Sequence, residues 1–303
     1  MICGNASHFF GRPVSDWTVE KADSFDYQGG VPRLRPDGNS AGFDEAMLRR
    51  LRLLLARPEA SRLDALVFAA WGAGDDLPSD LIEVLVASRK RLPALKALLI
   101  GDINLEETGI GRSDDVSDLW PAFPDLRELH LHGGAGLAIG DLALPGLERL
   151  TIESCGLSDE VVDDVLAAKL PSLRHLELWL GTEDQGGSSF AEQFEELRLP
   201  DMPALKSLAL RNCEYADELA VVIAQAPLLR RLTRLDLSLG TLGDKGAQAL
   251  LASPAVAALE ELDLHHHFIS EGMASRLNAL GPKINLDDPR DDDGYGPFVA
   301  VGE

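Results

Sequence analysis

Apolar residues recur along this chain as one phrase, Leu-x-x-Leu-x-Leu, with small or polar residues in the gaps. It begins at Leu63, Leu95, Leu126, Leu147, Leu173, Leu205, Leu232 and Leu259, at intervals of 21 to 32 residues. Alternation within the phrase predicts a short strand whose leucines face one way and whose third, fifth and seventh residues face the other. The regular return predicts that one strand follows another and that the leucines stack into a continuous core. The expected fold is α/β, a leucine-rich-repeat solenoid (horseshoe) with a parallel concave sheet, a helical convex side and about eight repeats.

Three regions follow from the pattern. Residues 1–60 read as an N-terminal cap that ends in a helix from Phe43 to Arg57, with Phe43, Met47, Leu48, Leu51, Leu54 and Leu55 at helical spacing. Residues 61–286 read as the solenoid. Ser158, Asp217, Asp244 and Ser270 stand before helical runs, where N-caps are expected. Loops are expected from Glu106 to Val116 and after Gly181. Residues 287–303 read as an acidic tail. Its end, Phe298 to Val301, is apolar enough to dock as an edge strand or on the final repeat.

The open-face positions fall into two zones. The first two repeats offer Ala65, Val67, Ala69, Ala97, Leu99 and Gly101, all small or apolar. A bare patch of that kind is a liability or a binding site, so the N-terminal cap is expected to cover it, and failing that a partner. Later repeats are charged and carry His130, His132, His175, Trp179 and His265, with Glu128–Arg149 and Arg234–Glu261 as expected cross-strand pairs. Trp179 is either an aromatic anchor for a partner or a ring packed under a neighbouring loop. The residues expected to carry partner binding are Glu177, Trp179, Arg211, Asp236, Asp263 and His265.

Composition narrows the function. The 303 residues are 45% hydrophobic and 26% charged, an ordinary globular balance. No apolar run is long enough for a membrane span, and the N-terminus lacks the basic start and apolar core of a secretory signal. The net charge of −22 repels phosphates, so nucleic acid is not an expected partner. Cys3, Cys155 and Cys213 are too few and too odd for a disulfide framework, and the last two share the ninth motif position. A reducing cytoplasm is the expected location.

Little else points to chemistry. His265, His266 and His267 invite a metal reading, but consecutive strand residues alternate sides. His265 and His267 alone are expected on one side, near Asp236 and Asp263, without the spacing of a zinc centre. Those two acids on an open sheet read as a solvated face rather than an acid–base pair. No dinucleotide fingerprint, phosphate loop or nucleophile elbow is present, and Gly240 to Ala247 (GTLGDKGA) reads as the turn and helix start of a repeat. No cofactor and no enzymatic activity are expected.

The segment LTRLDLSLGTLGDKGAQALLA resembles ribonuclease-inhibitor-type leucine-rich repeats. LIGDINLEE, LELWLGTEDQGG, LDLHHHFIS, the opening HFFGRPVSDW and the ending DDDGYGPFVAVGE resemble a bacterial leucine-rich-repeat family of actinomycete type. That second resemblance implies no activity of its own. It implies a gene neighbourhood with radical-SAM and ATP-grasp enzymes, hence a scaffold or recruiting subunit in a modification pathway. The expected function is a non-catalytic scaffold that binds protein or peptide on the concave face. The alternative is a carrier whose C-terminal tail is the substrate of such enzymes. A metal-dependent enzyme at His265–His267 ranks third.

Overall fold

The computed structural model describes residues 5–35, 43–69, 79–102, 115–133, 136–188, 191–195, 197–291, 294 and 296–302. Most of the loop expected from Glu106 to Val116 lies outside them. The chain divides into two compact units, Met1–Arg149 and Leu150–Glu303.

In the first unit the strands are β1 (His8–Phe9), β2 (Arg12–Asp16), β3 (Val31–Leu34), β4 (Ala65–Ala69), β5 (Ala97–Asp102) and β6 (Glu128–His132), in chain order across the sheet. The β1–β2 pair is antiparallel and the rest are parallel. Helices α1 (Phe43–Leu55), α2 (Ser79–Ala87) and α3 (Leu119–Ala122) lie between them in sequence. Each motif strand begins at the third motif position, so the motif leucines point inward. Leu63, Leu66, Phe68, Leu95, Leu98, Leu126 and Leu129 are all buried.

Residues 1–60 do more than cover an end, because β2 and β3 extend the parallel ladder, with Val14 opposite Val31 and Arg33 opposite Val67. The same segment covers the apolar face of the first two repeats. Phe9 and Val31 form one buried cluster with Ala65, Val67, Ala97 and Leu99, and Ala6, Phe10 and Val14 pack against it. Polar bonds fix the cover. Asp102 accepts from the Ala6 amide at 2.7 Å and from Arg33 Nη1 at 2.8 Å, and Arg33 Nε donates to Asp16. Burial works against the charge on Arg33, and the two carboxylates more than offset it, so its pKa is raised.

The second unit contains β7 (Arg149–Glu153) from its second residue on, then β8 (His175–Gly181), β9 (Ser207–Cys213), β10 (Arg234–Asp236), β11 (Glu261–Asp263) and β12 (Lys283–Asn285), again in chain order. The pairs β8–β9, β9–β10, β10–β11 and β11–β12 are parallel and in step, so Ser207, Arg234, Glu261 and Lys283 fall in one row. Strand β12 is a further rung that lacks the leucine phrase. Helices α4 (Asp159–Ala167), α5 (Ala216–Ile223), α6 (Asp244–Ala252), α7 (Pro254–Ala257) and α8 (Glu271–Leu277) return the chain. The segment after Gly181 forms a 3-10 turn at Glu183–Gln185.

Ser158 and Ser270 cap their helices as expected, accepting from the amides of Val161 and Met273. Asp217 and Asp244 do not. They lie inside the first turns of α5 and α6 and reach sideways to the next repeat. Asp217 Oδ1 accepts from the amides of Gly243 and Gly246 at 2.8 Å each, and Asp244 accepts from the amide and hydroxyl of Ser270. Each carboxylate thus serves the helix start of its neighbour, where unpaired amides and the helix dipole favour negative charge.

A second repeated device ends the strands. Asn212, Leu239 and His266 occupy the eighth motif position in successive repeats, and all three have left-handed backbone, with φ of 53°, 68° and 56°. Left-handed backbone costs an L-residue about 1–2 kcal/mol, so its recurrence marks a position fixed by its surroundings. The amides there still reach across to the next rung, Asn212 to the Ser238 carbonyl and Leu239 to the His265 carbonyl, both at 2.9 Å.

Candidate functional site

Strands β8 to β11 carry five of the six residues the sequence singled out, and the sixth, His265, follows two residues after β11. The parallel register brings the strand residues together on one face. Glu177, Ala209, Asp236 and Asp263 form the row of fifth positions. Trp179 stands opposite Arg211 in the row of sevenths. Ala209 matters because it is small. The Arg211 side chain has room to cross that row and meet acids on both sides.

Arg211 Nη1 donates to Glu177 Oε1 at 2.8 Å, and Arg211 Nε donates to Ser238 Oγ at 3.0 Å and lies 3.4 Å from Asp236 Oδ2. Its guanidinium carbon sits 4.9 Å above the centre of the Trp179 ring, a cation–π arrangement. Trp179 Nε1 donates to the same Glu177 oxygen at 2.8 Å. The other Glu177 oxygen is 3.2 Å from His175 Nε2, and His175 Nδ1 is 2.9 Å from Ser207 Oγ. At the other end, Asp263 Oδ1 accepts from the His265 amide and lies 2.7 Å from His265 Nδ1, while Asp263 Oδ2 accepts from Asn285 at 3.1 Å.

Trp179 is 4% exposed. The ring is packed, but under the Arg211 side chain of the adjacent strand rather than under a loop, and its bond to Glu177 holds it down. It acts as a wall that positions its neighbours. Sequence reasoning passed over Ser207, Ser238 and Asn285, and took His175 only as part of the charged zone. The first two and His175 occupy third and seventh positions of adjacent repeats and were legible there. Asn285 belongs to β12, which has no motif to announce it.

Partial burial sets the charge of the row. Burial would raise the Glu177 pKa, but hydrogen bonds from His175 and Trp179 and the charge of Arg211 prevail and hold it at about 2. Asp263 follows the same balance and is lowered, its hydrogen bonds from His265 and Asn285 outweighing burial. Asp236 goes the other way. Burial raises its pKa more than Arg211 and the Ser238 bonds lower it, and Asp263 adds to the rise. Arg211 is raised, since its acidic neighbours outweigh its own desolvation.

Ser207, His175 and Glu177 form a hydrogen-bonded chain of the kind that activates a serine hydroxyl. The same geometry argues for structure here. Ser207 is buried at 6% exposure, and Glu177 is already engaged by Trp179 and Arg211. The histidine run is structural as well. The left-handed turn at His266 ends strand alternation, so His265 and His267 do not share a side. His267 is buried, accepts from the Ile269 amide at 3.1 Å and lies 3.2 Å from the Leu286 carbonyl. Among the described residues no group of three or more His, Cys, Asp or Glu side chains is placed to hold a metal ion. Among them, too, no helix is long and apolar enough to cross a membrane.

In the first unit, Arg149 Nε lies 3.7 Å from Glu128 Oε1, and in the second Arg234 Nη1 lies 4.0 Å from Glu261 Oε2, the cross-strand pairs expected. Cys155 and Cys213 are buried thiols, neither in a disulfide among the described residues. Burial pushes the Cys155 thiol up to about 11 and Cys213 well above its ordinary value.

Parallel strands in chain order, helical returns and inward leucines define an α/β protein of leucine-rich-repeat type. Comparison with known proteins agrees. The chain is 31% identical over 227 residues to the ribonuclease inhibitor of Sus scrofa, a match that covers 71% of this chain. The chain spans about half of that relative's length, 48%. A solved protein of Bacteroides fragilis superposes with a TM-score of 0.76 at 27% identity, over 86% of this chain and 76% of that one. No family model matches the chain.

Proposed function

We propose that this protein is a non-catalytic scaffold that binds a protein or peptide through a basic contact, using the open face of β8 to β11. It is an array of about eight leucine-rich repeats. The observation that carries the reading is the row Glu177, Arg211, Asp236, Asp263 and His265. Two carboxylates, Glu177 and Asp236, share the Arg211 guanidinium, Asp263 lies against His265, and these side chains are tied in place before any partner arrives. A docking Lys or Arg near Asp236 would offset the repulsion that Asp236 and Asp263 exert on each other. The net charge of −22 would steer basic partners toward the molecule. Homology supports a binding role, since the relative is by name an inhibitor of ribonuclease. Its target is not carried over.

Glu177, Trp179 and Arg211 form the fixed floor of the site, and Asp236, Asp263 and His265 its contacting edge. We place the protein in the cytoplasm, on its sparse, buried thiols. The resemblance to the actinomycete-type family names radical-SAM and ATP-grasp enzymes as the first partners to try. The test is capture from native extract by wild type and by an Asp236→Asn/Asp263→Asn variant of unchanged melting temperature. A partner held by wild type, released by salt and lost by the variant supports the reading. Equal recovery by both overturns it.

A further inference from the structure

The last residues of the chain dock on the final leucine repeat and on the two before it, and not as an edge strand. Segment 298–301 runs across the ends of β9, β10 and β11. Asn212 holds Val301 by both backbone groups: Nδ2 donates to the Val301 carbonyl at 2.7 Å and Oδ1 accepts from the Val301 amide at 2.9 Å. The Ala300 amide donates to the Leu239 carbonyl at 2.8 Å. His266 Nε2 lies 3.1 Å from the Phe298 carbonyl. Val299 and Val301 are buried, whereas Phe298 is 46% exposed, edge-on to His266 and Phe268.

We propose that this edge is a peptide-binding groove, and that the chain's own C-terminal segment is its intramolecular, displaceable occupant. The groove accepts an extended peptide with small aliphatic side chains two residues apart, preceded by an aromatic.

Three observations carry this. The contacts come from one motif position in three successive repeats, and those residues are the left-handed Asn212, Leu239 and His266. Two rungs span about 9.6 Å at the usual strand spacing, and the three steps from Phe298 to Val301 span about 10 Å when extended, so peptide and repeat keep step. Next, every polar contact is to peptide backbone, the mode by which exposed edges take extended peptides, and the two valines supply the side-chain selection. Finally, the groove has backbone bonds of its own: the position-eight amides bond to neighbouring rungs and not to the tail, Asn212 to Ser238, Leu239 to His265 and His266 to Asp287. With the tail gone, the buried Asn212 amide and the Leu239 carbonyl would lack partners, which favours replacement over a bare groove. An enzyme that modified the tail would need the same release.

The experiment uses the full-length chain. Val299→Asp/Val301→Asp disables the tail in cis, and a fluorescent peptide Pro-Phe-Val-Ala-Val-Gly-Glu is then titrated by anisotropy. Saturable binding is expected to the disabled chain. Binding to wild type should be at least about tenfold weaker, because the tethered tail competes at an effective concentration of about a millimolar. Adding Asn212→Ala should weaken the peptide by about tenfold. A disabled chain that keeps its circular dichroism and yet binds no peptide overturns the proposal, as does equal binding to wild type. Hydrogen exchange on wild type decides independently of any variant. Ala300 and Val301 amides that exchange at least about a hundredfold faster than those of β9 support local release. Exchange at the rate of β9 overturns it.

Discussion

Arg211 on β9 and Glu177 on β8 meet at 2.8 Å, with side chains only 19% and 15% exposed, and that pair organises the face around it. Glu177 also accepts a hydrogen bond from the Trp179 indole N–H, and Arg211 also faces Asp236. Removing one charge strands the other in a desolvated setting. Breaking a buried pair costs about 3–5 kcal/mol, and the residual exposure here reduces the expectation for Arg211→Met to about 2–4 kcal/mol. The Glu177→Gln/Arg211→Met double variant should recover most of that loss. Urea unfolding of the four proteins measures the coupling, and additive losses would contradict it.

Acid stability should report the same carboxylate. The Glu177 pKa is held at about 2 in the folded chain, below its ordinary 4.5. A depressed folded pKa contributes stability that is complete above the unfolded value and is lost as pH falls through the folded value. The window therefore runs from just above pH 4.5 down to about 2. The shift corresponds to about 3 kcal/mol. In Glu177→Gln, unfolding free energy measured across this range should lose that part of its slope. An unchanged slope would assign the acid sensitivity elsewhere.

Thiol chemistry gives a third expectation. Cys155 is buried with its pKa pushed up to about 11, and Cys213 is buried with its own raised well above the ordinary value. The thiolate is the reactive form, so neither should alkylate at pH 8 in the folded protein. Mass spectrometry after iodoacetamide treatment, with and without denaturant, checks this by peptide. Rapid modification of Cys155 in the native chain would mean that its repeat opens.

Much of this fold was legible in the sequence because the leucine phrase repeats a physical requirement. Leu66, Leu98, Leu129, Leu176 and Leu208 must point inward for the rungs to stack, and all are buried. The site residues were legible as a set, because strand alternation fixes which residues share a face. Their engagement was not. Trp179 looked available because its partner Arg211 lies 32 positions away in sequence, and only register shows them stacked. Strands β2, β3 and β12 escaped notice because they carry the ladder without the leucines. The acids of α5 and α6 were misread as local caps, since a sequence shows which residue precedes a helix but not which helix lies beside it.

Asp217 tests that sideways capping. Its Oδ1 accepts the amides of Gly243 and Gly246 across the repeat boundary, both at 2.8 Å. Loss of a helix cap costs about 0.5–2 kcal/mol, and two amides are left open here, so Asp217→Ala should fall in the upper half of that range. Asp217→Asn keeps an acceptor oxygen and should lose less. Thermal or urea unfolding would rank the variants. Equal stability of Asp217→Ala and wild type would mean that water satisfies those amides.

Gly246 makes the same contact testable from the other side. It lies inside α6, where exchange of glycine for alanine ordinarily gains about 1 kcal/mol by helix propensity. Here an added Cβ would stand 2.6 Å from Leu242 Cδ1, 2.7 Å from Asp217 Oδ1 and 2.9 Å from Ala220 Cβ. Such crowding costs about 1–3 kcal/mol, and the alanine would also push away the carboxylate that caps its own amide. Gly246→Ala should therefore destabilise, against the propensity trend. In an Asp217→Ala background one of the three obstacles is gone and no cap remains to be lost, so the same substitution should cost measurably less. The difference between the two backgrounds, read from urea unfolding, isolates the coupling of α5 to α6. A Gly246→Ala protein more stable than wild type would show that the repeats pack less closely here than these distances require.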